Sequence, residues 1–269
     1  MTAPRTAAPS LAGVANFRDF GGLPTADGGM VRSGVLWRSG HLAEAKVPDV
    51  AVLTGLRIGH VADLRRPEER DRLPTPTALS QVWTTLAHNH PTHTTEPPHL
   101  AVLLAPDASE ATITARMLSG YRGYPYDPAL SEVYRAWFDA LADSDPETGV
   151  LVHCHAGKDR TGLLVALTHR LLGVSTEALM ADYLRTNGES RIEERLPAIL
   201  ETFQKDHGVT PPVEALRKVM QVEPAYLQAS MASIAVQDAT VERYLERHLG
   251  VDPARAERIR RRWVHPRPM

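Results

Sequence analysis

The sequence predicts an α/β fold in which a mostly parallel central sheet is flanked by helices. Short apolar runs bounded by turn residues alternate with amphipathic stretches of helical period through the first two-thirds of the chain. One of these runs, 149–153, leads through a polar loop straight into an apolar helical segment, the order expected of a strand, a ligand loop and a helix. The last third reads as successive amphipathic helices with no strand among them.

Taken in order, residues 1–12 read as a flexible arm and residues 13–269 as one domain. Between Gly13 and Leu42, dense Gly and turn residues around Val35-Leu36-Trp37 predict small strands and turns. Residues 47–56 predict a short helix ended by Gly55 or Gly59, and 58–64 a buried strand stopping at Asp63-Leu64-Arg65. Residues 74–100 are rich in Pro and Thr and read as a loop or insertion. Helices follow over 108–119 and 128–142, the second with Leu130, Val133, Tyr134, Trp137, Phe138 and Leu141 on one face. The strand 149–153 precedes a helix over 161–172, closed by Gly173 as a C′ glycine. Residues 175–262 complete the chain as helices, interrupted where Gly208 and Pro211-Pro212 break the period.

Bulk properties narrow the function. A length of 269 residues is enough to bury a substantial core, and 43% hydrophobic with 23% charged residues is ordinary globular composition. A formal net charge of -2 gives no footprint for nucleic acid or an anionic membrane. A single Cys excludes an intramolecular disulfide. The first ten residues lack a signal-peptide core, and no apolar run reaches the roughly 18 residues that span a bilayer. A cytoplasmic protein with no membrane insertion is expected.

The chemistry concentrates in His153-Cys154-His155-Ala156-Gly157-Lys158-Asp159-Arg160-Thr161-Gly162. Cys154 sits at the carboxyl end of a strand, and the helix begins six or seven residues later. A loop of that length turns successive backbone N–H groups toward one centre, and the helix N-terminus adds partial positive charge there. Arg160 grips two oxygens of a bound dianion, and Lys158 adds a point charge. A thiol in such a field is favoured as thiolate, the form that attacks phosphorus. Thr161 is placed to hydrogen-bond the sulfur, while Gly157 and Gly162 permit the tight backbone path. His155 and Ala156 belong to the phosphate-binding rim. A buried core cysteine is the bland alternative, but Lys, Asp and Arg within six residues are poor core material. A Walker-type nucleotide loop fails, because Gly157-Lys158 is followed by Asp159 instead of Ser or Thr.

His-Cys-x-x-Gly-Lys-Asp-Arg-Thr-Gly resembles the signature of cysteine-dependent tyrosine phosphatases. It is similar to the bacterial branch typified by the secreted mycobacterial tyrosine phosphatase B, which also resembles lipid phosphatases. The resemblance extends to Asn16-Phe17-Arg18-Asp19-Phe20-Gly21-Gly22, Leu36-Trp37-Arg38-Ser39-Gly40, Val61-Ala62-Asp63-Leu64-Arg65, Tyr121-Arg122-Gly123-Tyr124-Pro125 and Asp182-Tyr183-Leu184-Arg185-Thr186-Asn187, and to the closing Ala225-Tyr226-Leu227, Tyr244-Leu245 and Leu249-Gly250-Val251. It implies a cysteine-dependent phosphatase fold, no cofactor, a phosphocysteine intermediate and, in some members, a helical lid, sought here near 86–125 and 190–235.

The leaving oxygen needs a proton, and three carboxylates compete to supply it: Asp159 in the loop, Asp63 at a strand end, and Asp127, 27 residues before Cys154. Arg65 is a candidate phosphate ligand beside Asp63. Asn16, Arg18 and Asp19 are expected to tie the amino-terminal segment beneath the sheet. His88, His90, His93 and His99 lack the carboxylate or cysteine pattern of a zinc site, so no metal is expected. Arg255, Arg258, Arg260, Arg261 and Arg262 read as a solvated helix face. The partner expected is a phosphorylated substrate, a phosphotyrosyl protein with phosphoserine or phosphoinositide as further classes; the sequence leaves the oligomeric state open. Two other functions remain in play: a small-molecule phosphatase selecting substrate through the irregular 74–120 segment, and a non-catalytic phosphate-binding module. Turnover with intact Cys154 and Arg160 separates the last from the others.

Overall fold

Residues 58–63 and 149–153 alternate side chains that must be buried on both sides, and the sheet they form is covered on both faces. The computed structural model of the chain describes residue 9 and residues 11–90, 103–104 and 109–266. Its main sheet takes strands β1 (Arg18–Asp19), β3 (Leu36–Ser39), β4 (Ile58–Asp63), β5 (Thr84–Leu86) and β6 (Gly149–His153) in the order β1-β3-β6-β4-β5. All neighbours run parallel except the edge strand β1, which is antiparallel to β3. Strand period decides the layering: Leu36, Ala62, Val150 and Val152 enter the larger core, while Trp37, Val61 and Leu151 point into a smaller one on the opposite face.

The smaller core is closed by α1 (Val47–Gly55) and α3 (Thr77–Ser80), with Leu53, Leu79 and Trp83 buried there, while α2 (Pro67–Arg72) follows β4. Leu11 is also buried in it, and Ala12 N and Gly13 N donate to the Asp49 carboxylate. The expected arm therefore docks before residue 13; residues 1–8 and 10 lie outside the described residues. The larger core is built by α4 (Glu110–Gly123), α5 (Pro128–Asp143), α6 (Asp159–Leu171) and α7 (Thr176–Leu184), followed by α8 (Thr186–Glu189), α9 (Ile192–His207), α10 (Val213–Met220), α11 (Pro224–Asp238), α12 (Val241–Leu249) and α13 (Pro253–Trp263). A two-stranded ladder, β2 (Met30–Val31) with β7 (Val264–His265), ties the amino-terminal region to the end of α13.

Local chemistry explains the boundaries. Asp127 caps α5 by accepting from Ala129 N and Leu130 N, with Pro128 at the first turn. Gly173, at φ +83°, follows α6 where the sequence placed its stop. The loop reading of 74–100 is corrected: α3 and β5 lie inside it, because Val61 and Ala62 offer β5 a parallel edge that no local pattern announces. Residues 91–100 lie outside the described residues. In the regions searched for lid elements, α4 packs against α11 and α10, and η-turn residues Tyr124–Tyr126 join α4 to α5. No helix among the described residues is long and apolar enough to cross a membrane.

Candidate active site

β6 lies between β3 and β4 with His153 in register with Ser39 on one side and Asp63 on the other. The chain beyond His153 therefore leaves the sheet at the centre of its carboxyl edge. There Cys154 is buried, and the loop 154–158 curls onto the end of β3. Gly157 makes that approach feasible. Its φ is +69°, and a Cβ added there would stand 2.1 Å from Ser39 O.

Several loop carbonyls are held, that of His155 by His41 N at 2.9 Å and that of Gly157 twice. Gly157 O accepts from Asn16 Nδ2 at 2.6 Å and from Arg38 Nη2 at 2.9 Å. Arg38 and Arg18 both reach Asp182, at 3.0 and 3.3 Å, and Arg18 also donates to Asn16 Oδ1. Burial alone would raise the Asp182 carboxyl, but the two guanidinium groups overcome it and hold the carboxyl well below the usual range. Asn16 and Arg18 thus tie the amino-terminal segment under the loop. Asp19 does a different job, its two oxygens accepting Gly21 N and Gly34 N in the neighbouring turns.

Arg160 is aimed by its partners. Nη1 and Nη2 bind the two oxygens of Glu69 at 2.7 and 2.8 Å, and Nη1 also donates to Leu64 O at 2.8 Å. The Glu69 carboxyl, which burial would push up, is pulled far down by Arg160 and by the N–H of Arg66. Lys158 is buried and donates from Nζ to Asp159 Oδ1 at 2.7 Å. The same Oδ1 accepts the Tyr121 hydroxyl at 2.7 Å. His155 and Ala156 are half-buried at the rim, with the His155 ring 5.1 Å from that of His41. Thr161 Oγ1 is buried with no hydrogen-bond partner among the described residues, so the expected bond to the sulfur is not made.

Asp63 and Arg65 are buried and bound to each other. Arg65 binds Asp63 through Nε at 2.9 Å and Nη2 at 2.7 Å, and also donates to Leu73 O and Thr75 Oγ1. Burial would raise the Asp63 carboxyl, yet His153 and Arg65 hold it below the ordinary value. A buried carboxylate with both oxygens bound has no proton to give and cannot turn outward without stranding Arg65. The sequence raised Asp63 as an acid and Arg65 as a phosphate ligand; in this structure the two are bound to each other. Asp127 is engaged as the cap of α5. Burial pushes the His153 imidazole below its usual range against the pull of the Asp63 carboxylate, and Nδ1 stands 3.3 Å from Cys154 O.

Elsewhere, His90 pairs with Glu132 at 2.8 Å, and no three potential metal ligands cluster among the described residues; His93 and His99 lie outside them. Four of the five carboxy-terminal arginines bind their own domain: Arg255 with Asp139, Arg258 with Asp143, Arg260 with Leu171 O and Arg262 with Ser144 O.

Comparison with known proteins decides the family. The family model described as the tyrosine phosphatase family matches residues 9–265. The chain belongs to that family. It is 32% identical over 251 residues to the Cupriavidus necator protein named "Putative tyrosine-protein phosphatase H16_A0669", spanning 90% of this chain and 84% of that one. It is 30% identical over 281 residues to the Triple specificity protein phosphatase PtpB of Mycobacterium tuberculosis, spanning 93% and 96%. The protein is a phosphatase of the tyrosine-phosphatase kind, and its parallel sheet with helices on both faces is the fold the family implies.

Several residues around this phosphatase's site had no role in the sequence reading, Arg38 and Asp182 beneath the loop among them. Glu69 was visible as a helix signal, an acidic third residue after Arg66-Pro67 that closes a capping box, but not as a clamp on Arg160. Tyr121 and Tyr183 stood in recognisable motifs without a function. Their hydroxyls meet at 2.7 Å beside Asp159.

Proposed function

We propose that this phosphatase hydrolyses phosphomonoesters, phosphotyrosyl protein foremost, through a phosphocysteine intermediate on Cys154. The observation that carries the proposal is Arg160. Its guanidinium is fixed by Glu69 and Leu64 O six residues after a buried cysteine at a helix start. Loop N–H groups, the helix N-terminus and Arg160 hold the dianion and meet the charge that builds on the equatorial oxygens. The Cys154 sulfur attacks in line, the S–P bond forms, and the ester P–O bond breaks. Asp159 gives its proton to the departing oxygen. Water then attacks the phosphocysteine, Asp159 recovers a proton from it, and inorganic phosphate leaves as the S–P bond breaks.

Asp159 is favoured as the acid because Oδ1 takes both of its protein hydrogen bonds while Oδ2 has no partner among the described residues. The substrate class follows the names of the two relatives, one a tyrosine-protein phosphatase and the other of triple specificity. A cytoplasmic working place belongs to the same proposal, since a reducing compartment keeps a lone thiol out of the oxidation ladder.

The test compares wild type with Cys154→Ser on p-nitrophenyl phosphate in the presence of a chelator. A rapid acid quench of labelled phosphotyrosyl peptide traps the phosphoenzyme. Wild type should turn over with chelator present and trap label, and the variant should lose on the order of 10³-fold or more and trap none. Turnover by Cys154→Ser within tenfold of wild type, or loss of wild-type activity to the chelator, would sink the mechanism. A panel of phosphotyrosyl and phosphoseryl peptides, phosphoinositides and nucleotides reads the substrate class.

A further inference from the structure

The hydrogen bonds around Asp159 have a direction. Tyr121 ends the third turn of α4, is fully buried, and sends its hydroxyl proton to Asp159 Oδ1 at 2.7 Å. A phenol has one proton, so the Tyr121 oxygen is left to accept, and the Tyr183 hydroxyl 2.7 Å away supplies the donor. Lys158 Nζ brings a second donor to Oδ1 at 2.7 Å, and an ammonium group never accepts. A proton carried on Oδ1 would face an N–H and reverse the tyrosine chain. On Oδ2 it meets no donor among the described residues.

We infer that Tyr121 is a positioning residue for the proton donor: with Lys158 it keeps Oδ1 of Asp159 an acceptor, so that the transferable proton sits on Oδ2, and Tyr183 fixes the direction of the Tyr121 hydroxyl. This rests on the reading of Asp159 as the acid. As the ester bond breaks, the proton leaves Oδ2 for the departing oxygen. The negative charge left on the carboxylate is met at Oδ1 by the ammonium and phenol already in place, without reorganisation.

The surroundings keep this arrangement rigid. Burial pushes both phenols well above their usual range, so each remains a hydroxyl. Ser230 Oγ on α11 donates to Tyr121 O at 2.6 Å and pins the end of α4. The Tyr183 ring lies against α6 itself: a Cβ at Gly162 would stand 2.8 Å from it. Gly162 therefore has a role beyond the loop path first read for it, since it lets the ring of Tyr183 reach the helix that carries Asp159.

The experiment measures kcat on p-nitrophenyl phosphate and on phenyl phosphate, a good and a poor leaving group, for wild type, Tyr121→Phe, Asp159→Asn, the double variant and Tyr183→Phe. The ratio of the two kcat values does not depend on how much of a preparation is folded. Tyr121→Phe should raise that ratio roughly tenfold while KM moves less than about twofold, since general-acid catalysis commands roughly 10²–10⁴-fold and only its alignment is lost. Tyr183→Phe should raise it less, in the same direction. In the Asp159→Asn background, Tyr121→Phe should add nothing. A ratio for Tyr121→Phe within about twofold of wild type, or an equal rise in the Asp159→Asn background, overturns the inference. If Asp159→Asn itself leaves the ratio unchanged, the proposed acid fails as well; if Asp159→Asn is selective and Tyr121→Phe is not, only the tyrosine chain falls.

Discussion

Two strands side by side in the sheet, β4 and β6, end in register at Asp63 and His153, and the charged residues that follow them behave in opposite ways. After β4, Asp63 and Arg65 are bound to each other, and Arg65 also donates to Leu73 O and Thr75 Oγ1. After β6, the groups are held but not exhausted: among the described residues, Asp159 Oδ2 and Thr161 Oγ1 have no hydrogen-bond partner. Both regions are buried and both are charged. Burial of charge therefore does not mark the site; unspent hydrogen-bonding capacity beside a fixed cation does. One residue joins the two regions. Glu69, on the helix that follows β4, reaches across to hold Arg160 of the β6 loop.

The comparison is broken first at Asp63. Asp63→Asn leaves the Arg65 charge buried with no counter-charge, and should cost about 3–5 kcal/mol of stability. Denaturant titration checks this. The folded fraction should keep the wild-type preference between good and poor leaving groups, and a shift in that preference would move Asp63 from scaffold to catalyst.

The bridging residue comes next. Glu69→Gln keeps a similar shape but removes the carboxylate that aims both Arg160 nitrogens, and kcat on p-nitrophenyl phosphate should fall by about 10²-fold. A kcat within about threefold of wild type would show that Leu64 O alone is enough to orient the guanidinium.

The smallest effect is acid sensitivity of the closed network. His41, His153 and His169 are held neutral by burial, His41 down to about 4. Unfolded histidine takes up its proton near pH 6.5, so below that value the unfolded state binds more protons and stability falls with pH. Glu69 and Asp182, both depressed, extend the same slope below about pH 4 as the unfolded carboxylates protonate first. The melting temperature should therefore decline from pH 7 to pH 5 and drop further below pH 4.5. A constant value across that range would contradict the buried neutral histidines.

What could be read from the chain alone was whatever is contiguous. Cys154, Gly157, Lys158, Asp159 and Arg160 lie on one loop between one strand and one helix, and local backbone geometry brings them together wherever that unit folds. The strands and helices were legible because burial imposes periods of two and about 3.6 residues on their own sequence. The β5 strand was not, since a parallel edge strand is selected by its neighbour more than by its composition. Roles depending on distant partners were beyond reach as well. Glu69 meets Arg160 across 91 residues, Asp182 meets Arg38 across 144, and Tyr121 meets Asp159 across 38. Asp63 and Asp159 look alike in sequence, each acidic and near an arginine at the end of a strand or loop. The proposal that favours Asp159 over Asp63 rests on tertiary packing, because a carboxylate's chemistry depends on how many of its oxygens are already bound, and that number is set by the whole chain.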